Sequence, residues 1–189
     1  MKNKVLVEVS GRHVHLCQEH IDKLFGKNYK LTKIKDLSQP GEYAAEERVD
    51  LINGSRVIEN VRVLGPPREE SQVEMSITDS FELGLKAPLR LSGDLGGSED
   101  IVLKGPKGRV NLKRGAIVAE RHLHLSPEQA KEFAVKNNQE VSIKIGGERS
   151  VTFHNVFIRI GDYDAALHLD TDEGNAAGIE GKTYGELIK

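Results

Sequence analysis

Two stretches of the chain repeat one device, and that device limits what the chain can fold into. Ser10-Gly11-Arg12-His13-Val14-His15-Leu16 and Ala119-Glu120-Arg121-His122-Leu123-His124-Leu125 both carry R-H-x-H-L, 109 residues apart. Four of the seven histidines therefore sit in two matched pairs. Residues two apart on a strand point to one face, so each pair aims two imidazoles into one space. The flanks repeat as well. Val5, Val7 and Val9 alternate as a strand ahead of the first pair, and Ile117 and Val118 lead into the second. A helical pattern follows each pair. It is Ile21, Leu24 and Phe25 before Gly26 in the first, and Ala130, Phe133 and Ala134 behind the start signal Ser126-Pro127-Glu128 in the second. A duplicated β-turn-α unit predicts two structurally related halves, although the intervening sequence repeats little else.

Short strands dominate the rest. Candidates run over 57–64, 72–77, 88–92, 101–103 and 141–145, then from a Gly146-Gly147 hairpin turn into 150–153, and over 156–160. Punctuated by 19 glycines, these predict a mainly β protein with short helices, built as small barrels or sandwiches. Tyr29 to Glu47 reads as a connector with one short helix. In the glycine-rich tail from Asp172 to Lys189, Tyr184 and Leu187 are the expected final packing residues.

Composition removes several function classes. A net charge of −2, 5% aromatics and no tryptophan argue against nucleic acid as a partner and against an aromatic stacking platform. Cys17 is the single cysteine, so no intramolecular disulfide forms and a reducing compartment fits. Neither a signal-peptide core in the first residues nor a membrane-length apolar run is present in the sequence. The expectation is a soluble cytoplasmic protein with no membrane partner.

The histidine pairs suit zinc or a similar ion. Four histidines leave open whether one metal is shared or two are held. A catalytic zinc takes three protein ligands and keeps one open position, so two metals need further donors. His168, in an apolar run, and Glu74, between Val73 and Met75, are candidates. Arg68 follows the stiff Gly65-Pro66-Pro67 turn and offers a fork for phosphate oxygens. The loop from Leu89 to Ser98, with Arg90, Ser92 and Gly93, brings backbone N–H groups within reach of an anion. It has neither a P-loop lysine nor GxGxxG spacing, which argues against nucleotide hydrolysis and a dinucleotide fold. Cys17 aligns with the capping Ser126, and His20 and His154 read as surface or structural residues.

Taken together, these segments resemble one family. Val9 to Leu16, Gly65-Pro66-Pro67-Arg68 with Gln72-Val73-Glu74, Leu89 to Asp94, Arg121 to Pro127, and Leu167-His168 are similar, in that order, to the PduL-type phosphotransacylases, the phosphate propanoyltransferases. The resemblance implies two β-barrels capped by short α-helices. One is built from 1–11 with 112–189 and the other from 12–111, with the active site between them. It implies two zinc ions, one on His13, His15 and Glu74 and the other on His122, His124 and His168. It implies that Arg68 holds phosphate and that Ser10 lies close to it, with Arg90, Ser92 and Gly93 as weaker candidates for coenzyme A.

The implied reaction is acyl-CoA plus phosphate giving acyl phosphate plus CoA, with acetyl-CoA or propanoyl-CoA as the acyl donor. An acyl kinase would be the metabolic partner, and self-association is left open. Only Met1 to Lys4 precede the first strand, unlike relatives with an extension that directs them to microcompartments, so a free cytoplasmic enzyme is expected. Two rival readings are a zinc-dependent thioester hydrolase and a non-catalytic, metal-stabilised small-molecule-binding module.

Overall fold

The structure is a computed structural model in which residues 4–188 are described. The reading of Met1 to Asn3 as a bare lead-in falls outside those residues. In chain order the elements are β1 (Lys4–Val9), β2 (His13–His15), α1 (Gln18–Phe25), β3 (Lys33–Asp36), β4 (Tyr43–Asn53), β5 (Arg56–Gly65), β6 (Gln72–Met75), α2 (Ile77–Leu83), β7 (Leu89–Arg90), β8 (Glu99–Lys104) and β9 (Arg109–Ala119). They continue with β10 (His122–Leu125), α3 (Pro127–Glu132), β11 (Glu140–Ile145), β12 (Val151–Ile160), β13 (Ala166–Leu169), α4 (Thr171–Ala176) and β14 (Thr183–Ile188). The protein is mainly β, and its helices are short.

The chain divides into two compact units. One comprises 1–11, 38–40 and 120–189, the other 12–37 and 41–119. The first is a closed barrel in the order β1-β13-β10-β12-β11-β14. The second closes through β9-β6-β2-β5-β4-β8, with β3 and β7 attached at its margins. Step by step the two rings use the same sequence of parallel and antiparallel pairings. β2 thus corresponds to β10, β6 to β13 and β9 to β1. The half-repeat visible in the two histidine devices extends around both whole barrels.

Alternation explains the H-x-H-L pattern. In each device the residues between and after the histidines enter the barrel core: Val14 and Leu16 in one, Leu123 and Leu125 in the other. Burying each such side chain stabilises the fold by roughly 1.5–3 kcal/mol. The histidines fall on the opposite face. Ser126 caps α3 as expected, with Gln129 completing a capping box, and Gly146-Gly147 joins the antiparallel β11 and β12.

Four expectations need correction. Residues 29–47 contain no helix but enter β3 and β4. Glu47 occupies an inward position between Ala45 and Val49, where the Tyr29 hydroxyl and the Thr32 N–H satisfy its carboxylate, and that buried acid hid the strand period. The strand expected over 72–77 stops at Met75, because Ser76 and Asp79 form a capping box that starts α2. Tyr184 is half exposed, whereas Leu187 is buried as expected. The boundary expected at 111/112 instead falls after Ala119, because β9 runs unbroken from Arg109 to Ala119 and so keeps 112–119 in the second unit.

The β8–β9 turn packs on the end of α1, where the Lys107 N–H donates to the Leu24 carbonyl at 3.0 Å. A Cβ on Gly105 would lie 2.6 Å from that carbonyl oxygen, which is backbone and cannot move aside alone. Gly105→Ala is expected to lower stability by about 1–3 kcal/mol through overpacking, read as a lower urea midpoint with an unchanged slope.

Candidate metal centres

Strand register assembles each candidate centre. In the second unit, antiparallel pairing of β2 with β6 sets His13 directly across from Glu74 and His15 across from Gln72. His13 Nε2 lies 3.6 Å from Glu74 Oε2, and His15 Nε2 lies 3.6 Å from the other oxygen, Oε1. One ligand atom from each of the three residues falls within 4.8 Å of the others. In the first unit, the equivalent pairing of β10 with β13 sets His122 across from His168. The ring centroids of His122, His124 and His168 are 4.7–5.2 Å apart. Glu74 and His168 thus occupy the same position in the two barrels.

Among the described residues, the set of His13, His15 and Glu74 brings its ligand atoms close enough together to hold a metal, whereas the His122, His124 and His168 set has the donor chemistry without that close approach. A 3.6 Å separation is too long for a hydrogen bond. It is close to the roughly 3.3–3.5 Å edge between donors around a tetrahedral ion with bonds of about 2.0–2.1 Å. His15 and His124 each keep a buried Nδ1 without a hydrogen-bond partner. The His122 Nδ1–H donates to the Glu120 carbonyl at 2.8 Å, which places the lone pair on Nε2. Two nitrogens with one carboxylate, and three nitrogens, are both donor sets that bind zinc with an open fourth position.

Electrostatics favour the ligating forms. Burial, then His13 and Arg68, hold the His15 pKa well below the usual imidazole range against the upward pull of Glu74. Burial, with His122, His168 and Arg159, lowers His124 to about 2. Both rings are neutral near pH 7, as ligation requires. Burial pushes the Glu74 carboxyl upward, but His13, His15 and the Ser92 hydroxyl outweigh it and keep the group ionised.

The arginine of each device has a matched structural partner. Arg12 pairs with Asp79, and Arg121 Nε lies 2.7 Å from Glu173 Oε1. Asp79 and Glu173 are the third residues of α2 and α4, and each closes its helix's capping box. Those helices directly follow the strands carrying Glu74 and His168. Each arginine therefore ties the start of a histidine strand to the helix that follows the strand bearing the third candidate ligand.

Other expected residues separate into two groups. Arg68 Nη1 donates to Ser92 Oγ at 3.0 Å, and Nη2 to Glu42 at 2.8 Å. Ser92 in turn donates to Glu74 at 2.7 Å, and Gln72 donates to both Ser92 and Glu74. Arg68, Ser92 and the first ligand set are thus one hydrogen-bonded network. The turn carrying Arg68 needs Gly65, because a Cβ there would lie 2.2 Å from the Tyr43 ring. Gly93 joins the network by donating its N–H to Gln72 Oε1.

Arg90 instead staples its own loop, donating to the Gly96 and Leu89 carbonyls. Ser10 lies in the first unit, where its N–H donates to the Leu169 carbonyl. Ser71 Oγ accepts the Cys17 N–H and lies 2.7 Å from His20 Nδ1, so Cys17 and His20 help anchor the start of α1. Glu42 and Gln72 were missed in the sequence. Gln72 shares a strand face with Glu74 and was detectable by its spacing, whereas Glu42 comes from a distant strand margin with no local signal.

A sequence model of the phosphate propanoyltransferase family matches residues 6–180. The chain belongs to the phosphate propanoyltransferase family. It is 50% identical to a phosphate propanoyltransferase of Clostridioides difficile over 97% of this chain and 88% of that protein. It is 45% identical to one of Listeria monocytogenes over 100% of this chain and 89% of the relative. A third, from Thermotoga maritima, is 47% identical over 92% and 83%. Membership makes the chain an enzyme of the phosphate acyltransferase class. Among the described residues no helix is long and apolar enough to cross a membrane.

If the arginine ties hold ligand geometry, each acts on its own centre. Arg12→Ala should weaken metal binding by the set containing His13, and Arg121→Ala by the set containing His122, each by roughly 10-fold or more. Competition titration against a chelator, with His13→Ala and His122→Ala as references, measures this.

Proposed function

We propose that this acyltransferase interconverts a short-chain acyl-CoA, acetyl or propanoyl, and phosphate with the acyl phosphate and CoA, using two zinc ions. One would be held by His13, His15 and Glu74, the other by His122, His124 and His168. The observation that carries the reading is the network from Arg68 through Ser92 to Glu74, which couples an anion-binding guanidinium to a ligand set. A non-catalytic metal module has no need of that link. When bound, zinc supplies Lewis-acid polarisation of the thioester carbonyl and stabilises the departing thiolate.

The protein's own groups do the positioning. Arg68 binds phosphate by exchanging its Glu42 partner for the phosphate oxygens, which offsets their charge and aims one at the carbonyl carbon. A phosphate oxygen then forms a bond to that carbon, the carbon–sulfur bond breaks, and the electron pair leaves with sulfur. No acyl-enzyme is needed. Ser92 stays with Glu74 and fixes the angle of the guanidinium. Ser10 enters as a residue close to the phosphate on the family resemblance alone, and Arg90, Ser92 and Gly93 as weaker candidates for coenzyme A contacts. The acyl phosphate product is chemically suited to an acyl kinase.

The deciding assay is CoA release from acetyl-CoA and propanoyl-CoA by metal-replete protein, with and without phosphate. Release that requires phosphate and yields acyl phosphate is expected. Phosphate-independent release would establish a hydrolase instead. Loss of the charged hydrogen bonds in Arg68→Ala, worth about 1.5–3 kcal/mol, should raise the phosphate KM by roughly 10- to 100-fold with zinc content unchanged. An unaltered phosphate dependence would remove Arg68 from the phosphate site.

A further inference from the structure

A polar group around His168 has no place in the ligand sets or the phosphate network. Residues 38–40 leave the surrounding sequence's unit and belong to the first unit. The Gln39 side chain is buried, with 9% of the residue exposed, and its Nε2 lies 2.9 Å from His168 Nε2. Its other terminal atom, Oε1, is buried with no hydrogen-bond partner. The Ser38 hydroxyl donates to the Glu8 carboxylate and accepts from the Gln39 amide at 3.3 Å. Glu8 is the register partner of His168 on β1, with Oε2 3.7 Å from His168 Nε2.

A buried carbonyl oxygen without a donor is unfavourable. A carboxamide exchanges its oxygen and nitrogen by a half-turn. That half-turn would bring Oε1 to about the present place of Nε2, 2.9 Å from His168 Nε2, a few tenths of an ångström inside the donor–donor edge of a tetrahedral ion. At that place the amide oxygen and the His168 imidazole nitrogen would face one shared space. With a cation, both donate to it, and the orphaned carbonyl gains its partner.

We propose that Gln39 Oε1 is a displaceable fourth ligand of the metal held by His122, His124 and His168. The inference rests on the two-metal reading above. A neutral amide oxygen is a weaker donor than a carboxylate, so it can yield to substrate while closing the site at rest. The Ser38–Glu8 bond anchors the segment that brings it in. The other centre lacks this arrangement on the corresponding strand, because the register partner of Glu74 on β9 is Ile117. The two centres thereby differ in how readily their fourth position opens.

The test uses the full chain stripped of metal and titrated with Co²⁺, following visible absorption and chelator competition. Wild type should take up two equivalents. Gln39→Ala and Gln39→Met should weaken one of them by roughly 10-fold or more and change its absorption bands, leaving the other equivalent and the far-ultraviolet dichroism unchanged. Gln39→Glu, which restores an oxygen donor, should recover the affinity with shifted bands. A purely packing role would be rescued by Met and not by Glu.

Two equivalents with unaltered affinities and bands in Gln39→Ala would overturn the inference and leave the two-metal reading standing. So would a loss confined to Glu8→Gln, which would make the carboxylate the ligand. Uptake of a single equivalent by wild type would remove both.

Discussion

Everything at the two centres depends on the pairing of one antiparallel strand pair in each barrel. His13 meets Glu74, and His122 meets His168, because β2 with β6 and β10 with β13 share a register. A slip of one residue would turn every side chain of the shifted strand to the other face. In β2 it would expose Val14 and force a histidine into the apolar interior. The core thus enforces the register, and the register brings together the candidate ligands of each set. Packing and chemistry are two faces of one alternation.

The same constraint explains the electrostatics. Imidazoles and a carboxylate are removed from water by strands that must be there for the cores. Burial holds the His15 and His124 imidazoles neutral, and Glu74 remains ionised because its neighbours solvate it in place of water. Arg68 reaches this buried carboxylate through Ser92 rather than directly. It therefore stays half exposed, and its outward partner is the replaceable Glu42.

Much of this was legible in the sequence because it is local. Period-two spacing exposed both histidine pairs, the capping serine at α3 and the glycine hairpin. That the two sets are separate did not follow from spacing, since Glu74 and His168 join their pairs only through strand register. Strand β4 was hidden by Glu47, whose inward acid broke the apolar period. Helix α2 was hidden by its brevity, although Ser76 and Asp79 carried a capping signal. Gln39, Glu8 and Glu42 act through contacts between distant segments, for which a single sequence has no periodicity to read.

The chain passes from one unit to the other directly after β1 and again after β9, each time entering a histidine strand. One consequence concerns the order of assembly. The second barrel draws all its strands from 13–119 and can close as soon as they exist. In the first barrel, β1 pairs with β13 and β14, so the earliest strand of the chain waits for the latest ones. Closing that loop carries a larger entropic cost and makes it the slower step. On a ribosome, the unit with the His-His-Glu set would mature while β1 still hung unpaired, and the three-histidine set would come together only near the end of synthesis.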